Sequence, residues 1–265
     1  MKEKFLIGKE FEVKRIGFGT MRLTSGNGKW GMPEDKNHAI RLLQEAVEVG
    51  IDFFDTADMY GPHISEHIIA EALYPYRNDI KIATKGGNII SGPNKVLANC
   101  SPKHIRKSVH ASLKRLKLDQ IDLYQLHTVD PKIEIEHSIE QLHKLKEEGK
   151  IRCIGVSNID LENLKRAMSI GEISSVQNRY NINDKSSEGI ISFLEKLKIA
   201  FISYYPLNKG VLASVKTLNT EKHLTASQEA LLWQLKRFTN TIVIPGTTSS
   251  AHLRENFQTI NYIDQ

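Results

Sequence analysis

Four side chains of different chemistry each stand just past a short apolar run. Asp55, with Asp58 and Tyr60 behind it, follows Ile51-Asp52-Phe53-Phe54; Lys85 follows Ile80-Lys81-Ile82-Ala83-Thr84; His127 follows Ile121-Asp122-Leu123-Tyr124-Gln125-Leu126. Gathered at one point, a phenol, an ammonium, a carboxylate and an imidazole can run proton transfer onto an oxygen that is gaining charge. Taken singly, each has a duller explanation. A lysine after a strand is usually solvated, a lone histidine usually structural, and Asp-Thr often a turn or a cap. Only a fold that brings strand ends together turns them into a site.

The elements that would position them alternate regularly. A short N-terminal segment is patterned as a hairpin, and residues 15–21 read as a strand ending in Gly19-Thr20-Met21. The pattern then predicts a helix over 35–49, the strand before Asp55, a helix over 65–73 and the strand before Lys85. A long loop over 86–101, rich in Gly, Asn, Ser and Pro, leads to a helix opened by Ser101-Pro102 and to the strand before His127. A helix over 133–148 comes next, then strands at 151–156, 173–176, 200–203 and 241–244, with helices over 161–168, 186–198, 226–237 and from Ser250 onward. Eight strand–helix units imply right-handed parallel crossovers that close a (β/α)8 barrel, one domain over residues 1–265. Gly26-Asn27-Gly28-Lys29-Trp30-Gly31 has the spacing of a dinucleotide-binding glycine turn. No helix opens directly behind it, and Trp30 stands where close helix packing needs a small residue, so a Rossmann reading is rejected.

Composition narrows the function classes. The formal charge of +5, from 36 basic and 31 acidic residues, is spread along the chain, which suits an anionic ligand without pointing to nucleic acid. The most basic stretch, residues 103–117, carries Ile105, Val109, Leu113 and Leu116 at helical spacing, so its charges cover a solvent face. Cys100 and Cys153 form neither a disulfide framework nor a zinc pattern, and no metal site is expected. With no apolar signal core near the N-terminus and no apolar window of membrane-spanning length, the expectation is a cytoplasmic protein, monomeric and without a membrane partner.

In such a barrel the strand ends share one mouth, and every strand here ends in polar or glycine-bearing sequence. Phe54-Asp55-Thr56-Ala57-Asp58-Met59-Tyr60-Gly61 closely resembles the signature of the aldo-keto reductase family. Supporting blocks are Gly19-Thr20-Met21-Arg22, Ala83-Thr84-Lys85, Ser112-Leu113-Lys114-Arg115-Leu116, Gly155-Val156-Ser157-Asn158, Gln177-Asn178-Arg179-Tyr180-Asn181 and Ile244-Pro245-Gly246-Thr247. The resemblance implies NADPH-dependent reduction of a small carbonyl substrate, with Asp55, Tyr60, Lys85 and His127 as the catalytic tetrad. Tyr60 would be the proton donor, Lys85 would favour its phenolate, Asp55 would hold Lys85 charged, and His127 would orient the carbonyl oxygen.

The same resemblance implies the rest of the site. Tyr204 would stack on the nicotinamide, and Ser157, Asn158 and Gln177 would bind its carboxamide. Pro206 and Leu207 would line the pyrophosphate channel. Gly19, Thr20, Met21, Ile244, Gly246, Thr247, Thr248, His252, Glu255 and Asn256 complete the cofactor set, and Trp30, Tyr60 and His127 would wall the substrate. Gly246 and His252 stand where many relatives carry Lys or Arg, so NADP(H) is the expected cofactor and NAD(H) the alternative. The short loop over 208–226 implies an open pocket tolerant of varied carbonyls. Two other readings compete: a non-catalytic nicotinamide-binding partner protein similar to the potassium-channel β subunits, and a barrel enzyme that uses Lys85 as a Schiff base.

Overall fold

Residues 4–14 fold back on themselves. Strands β1 (Lys4–Ile7) and β2 (Phe11–Lys14) pair antiparallel about a Gly8-Lys9 turn in which both residues have positive φ. This is the expected hairpin. Its inward residues Ile7, Phe11 and Val13 are buried in one cluster with Phe53, Ala83, Leu123, Cys153, Ile202 and Ile242, so the hairpin plugs the floor of a barrel. The computed structural model that shows this describes residues 2–25, 30–93, 95–214 and 224–264. Gly26 to Lys29 of the glycine-rich run and part of the 208–226 loop lie outside them.

The barrel consists of β3 (Phe18–Gly19), β4 (Phe53–Asp55), β5 (Lys81–Gly86), β8 (Ile121–Leu126), β9 (Ile151–Ser157), β10 (Ser175–Arg179), β11 (Ala200–Tyr204) and β12 (Thr241–Val243), all parallel and adjacent in that order. An Ile16–Val243 bridge joins the ends, with Gly17 N donating to Val243 O and Val243 N to Arg15 O at 2.9 Å each. Residues 15–17 thus take part in closure, although only Phe18–Gly19 is regular strand. Close approach at this seam requires glycine. A Cβ on Gly19 would lie 2.6 Å from Ile244 O, and one on Gly246 would lie 2.5 Å from Gly19 O.

Around the sheet run α1 (Lys36–Glu48), α2 (Ile64–Leu73), α3 (Pro102–Leu116), α4 (Ile135–Glu147), α5 (Leu161–Ile170), α6 (Glu188–Leu197), α7 (Ala226–Arg237) and α8 (Ser250–Gln258). Their starts follow the capping chemistry. Asp35 accepts from His38 N, Asp160 from Asn163 N, and Thr225 with Gln228 forms a reciprocal capping box. Helix α3 buries Ile105, Val109, Leu113 and Leu116, the face its spacing predicts. The outward strand residues, such as Phe54 and Ile82 with Leu42 and Ile69, form the strand–helix layers, each such side chain contributing about 1.5–3 kcal/mol on burial.

One expectation is corrected. Residues 86–101 are not plain loop: β6 (Asn88–Gly92) and β7 (Lys95–Ala98) make a second antiparallel hairpin beyond β5. Its Ile89, Val96 and Leu97 remain exposed, so no burial pattern distinguishes it from loop in the sequence.

Candidate active site

The floor cluster fixes which side chains point inward at the top. Along a strand, alternate residues share a face. Phe53 lies in the barrel interior and Phe54 in the helix layer, so Asp55 returns to the interior. By the same alternation, interior Ala83 leads to Lys85, Leu123 to Gln125 and His127, Cys153 to Ser157, and Ile202 to Tyr204. The strand ends therefore converge as the sequence expectation required.

Lys85 is fully enclosed. Its Nζ donates to Asp55 Oδ1 at 2.6 Å and to Thr56 O at 2.7 Å, while Asp55 Oδ2 accepts from Gln177 Nε2 at 2.8 Å and Gln125 Nε2 at 3.3 Å. Beyond β4 the chain keeps pairing with β5, through Thr56 N to Ala83 O and Asp58 N to Lys85 O, and this carries Tyr60 over Lys85. The ammonium sits 5.2 Å from the Tyr60 ring centroid, and the His127 ring stands edge-on to Tyr60 with centroids 6.1 Å apart.

Burial governs the charges. It pushes the Tyr60 phenol well above its usual value, and the charge of Asp55 adds to the shift. The phenol is thereby kept protonated, the state of a donor. The direction is opposite to what Lys85 alone would produce, because burial outweighs the ammonium and the charge of Asp55 acts in the same direction as burial. Burial also pulls Lys85 down, against the opposing pull of Asp55. His127 is driven well below its usual value by burial and then by Lys85, so it is a neutral imidazole.

Tyr60 and His127 open onto a cavity of about 730 Å³ that runs across the barrel mouth to the start of α8. Every residue expected at the cofactor, from Gly19 to Asn256, lines it, with Asp55 at its base. Trp30 does not. It is an exposed loop residue, although Gly31 N donates to Gly61 O at 2.7 Å and ties that loop to the turn after Tyr60. Two expected carboxamide ligands are already engaged inside the protein. Asn158 donates to His127 O and accepts from Tyr204 Oη, and the Gln177 amide nitrogen is spent on Asp55. Met59, Tyr205, Lys209 and Ser227, to which the sequence reading gave no role, also line the wall. The second tyrosine of Tyr204-Tyr205 was the available signal for one of them.

The cavity suits a dinucleotide. It is lined by half-buried Tyr204 at the tetrad end and reaches the first turn of α8, where free amides favour a phosphate. Asn256 Oδ1, buried in its wall, has no partner among the described residues and could accept from a base amine. Among the described residues no helix is long and apolar enough to cross a membrane, and no cluster of three or more His, Cys, Asp or Glu could hold a metal.

A parallel barrel with an acid–base cluster at the C-terminal mouth defines an enzyme-like α/β architecture, and comparison with known proteins places it. The model of the Aldo/keto reductase family matches residues 15–264, and the chain belongs to that family. It is 42% identical over 248 residues to an uncharacterized oxidoreductase of Schizosaccharomyces pombe, covering 92% of this chain and 80% of that protein. It is 38% identical over 253 residues to the pyridoxine 4-dehydrogenase of Escherichia coli, covering 92% and 88%. The fold matches an aldo-keto reductase from Klebsiella pneumoniae solved with NADPH, with a TM-score of 0.81 at 23% identity over 98% of this chain and 90% of that one.

Proposed function

We propose that the protein reduces an aldehyde or ketone to the alcohol using NADPH, with Tyr60 as the proton donor. The observation that carries the reading is the position of Tyr60, a neutral phenol set between the enclosed Lys85 ammonium and the neutral His127 ring and facing the cavity. The nicotinamide, when bound, supplies the hydride. The chain's own residues handle the oxygen that gains charge. Tyr60 gives it a proton, and His127 offers it a hydrogen bond. Lys85 stabilises the phenolate left behind, and Asp55, with Gln177 and Gln125 on its second oxygen, keeps the ammonium in place. Tyr204 provides a flat face, and Gly246, Thr247 and Thr248 provide amides and hydroxyls at the α8 start.

The E. coli relative makes pyridoxal, an aromatic aldehyde, the first physiological carbonyl to assay, beside the generic 4-nitrobenzaldehyde. The test is oxidation of NADPH by the purified protein with each aldehyde, and with pyridoxine and NADP in the reverse direction. Tight NADPH binding without turnover of any carbonyl would instead identify a nicotinamide-binding partner protein.

A further inference from the structure

Directly behind Lys85 lies a second buried ionic cluster that the reaction described above does not use. Glu66 of α2 is fully buried; its carboxylate accepts from Thr84 Oγ1 at 2.7 Å and pairs with Arg115 Nε of α3 at 2.5 Å. Asp58 is 4% exposed, two residues ahead of Tyr60, and its backbone N–H is held by Lys85 O. Its Oδ1 has no partner among the described residues, and neither has the buried Tyr124 Oη. Both side chains crowd the position next to Lys85, where a Cβ on Gly86 would lie 2.0 Å from Tyr124 Oη and 3.1 Å from Asp58 Oδ2.

Counting charges exposes the imbalance. The buried carboxyls of Asp55, Asp58 and Glu66 face two cations, Lys85 and Arg115, and these are already paired with Asp55 and Glu66. One carboxyl is left over. An unpaired buried carboxylate is so costly that the group takes a proton instead, and Asp58 is the member without a cation. We propose that Asp58 acts through Tyr60 and Lys85 as a neutral positioning acid, and that its ionisation sets the alkaline limit of proton transfer by Tyr60. The inference rests on the reductase reading of the same site.

The surroundings support this charge state. From α3, Ser108 crowds the same spot as Asp58 and has His104 3.4 Å away, and Arg115 supplies the cationic charge; from α2 comes the anion Glu66. Tyr124 faces it from β8, Lys85 lies behind it on β5, and His63, whose N donates to Asp58 O, stands at the exposed edge. Burial, followed by the charge of Glu66, raises the Asp58 carboxyl to about 8. Below that pH the Tyr60–Lys85–Asp55 group is balanced. Above it a second anion sits beside Tyr60, holds the phenolic proton more tightly and weakens Tyr60 as a donor.

The test is the pH profile of kcat for carbonyl reduction at saturating NADPH and aldehyde. Wild-type protein should lose activity above about pH 8, about tenfold per pH unit. In Asp58→Asn the limb should move up by at least about one unit, with the Kd for NADPH, read by fluorescence, unchanged. Glu66→Gln, which frees Arg115 to stabilise an Asp58 anion, should move it down. An unmoved limb in Asp58→Asn overturns the proposal, and so does a downward shift, which would assign the limb to Lys85 after loss of a nearby carboxyl. Infrared difference spectroscopy of the wild-type protein needs neither a variant nor turnover, which separates this inference from the reductase reading. A buried carboxylic-acid band present at pH 7 and lost above pH 8 supports the proposal, and its absence at pH 7 overturns it.

Discussion

Gln177 donates to the same Asp55 carboxylate that holds Lys85, 2.8 Å from Oδ2 while Lys85 Nζ lies 2.6 Å from Oδ1. Asp55 therefore bridges β5 and β10 across the barrel, and the ion pair is locked from both sides. Such a bridge fixes Lys85 beneath Tyr60 instead of leaving it to swing toward the cavity.

That arrangement makes Tyr60 the group whose loss should be most specific. Tyr60→Phe keeps the ring and its edge-on contact with His127 but removes the proton. Carbonyl reduction should fall by about a hundredfold or more, while NADPH binding, followed by fluorescence, stays within twofold. Near-normal turnover in this variant would refute the donor assignment.

Lys85 should act by charge and not by forming an imine, because it is enclosed and committed to Asp55 and Thr56 O. Lys85→Met should lose most of kcat and, by stranding the Asp55 carboxylate, destabilise the fold by about 3–5 kcal/mol. Chemical denaturation of the double variant Asp55→Asn/Lys85→Met should recover most of that loss. Borohydride trapping of a substrate adduct on wild-type Lys85 would move the protein to the Schiff-base class.

The sequence carried the site as far as strand ends can. Asp55, Lys85 and His127 were legible because each continues an apolar alternation whose period points it inward, and Tyr204 because it ends β11. The links among them were not. Gln177 reaches Asp55 across 122 positions and Arg115 reaches Glu66 across 49, pairings set only when the barrel closes. The hairpin of β6 and β7 escaped because it buries too little to leave a burial period; Trp30, expected at the substrate, lies outside the cavity lining because loop geometry, not residue type, decides which aromatic reaches it.

His127 gives a pH prediction with a definite sign. Its folded-state value lies well below that of the unfolded chain, through burial and Lys85. Below pH ~6.5 the unfolded chain takes up a proton that the folded state refuses, so stability falls as pH drops and is regained as pH rises. The slope from this residue should approach about 1.4 kcal/mol per pH unit. Comparing unfolding free energies of wild type and His127→Gln between pH 5 and pH 7 isolates it. Equal slopes in the two proteins would show that His127 charges freely in the folded state.

On the proposed reading, cofactor choice would turn on the first turn of α8. Thr248 and His252 line the far end of the cavity, with Thr248 O bonded to His38 Nε2 at 2.7 Å. Arg254, a nearby cation in sequence, is committed elsewhere, its Nε 2.6 Å from Glu45 on α1. Glu255 puts a carboxylate in the same wall, where it accepts from Thr225 Oγ1. At this turn a 2′-phosphate would meet amides, hydroxyls and an imidazole, while the Arg254 guanidinium is held by Glu45 and a nearby carboxylate opposes the phosphate. NADPH should therefore be preferred over NADH by a modest factor. His252→Arg, adding one charge-assisted hydrogen bond worth about 1.5 kcal/mol, should raise the ratio of kcat/KM values roughly tenfold. The measurement is kcat/KM for both cofactors in wild type and His252→Arg with the same aldehyde. If NADH is the better cofactor and the arginine does not improve NADPH, His252 is not at the phosphate.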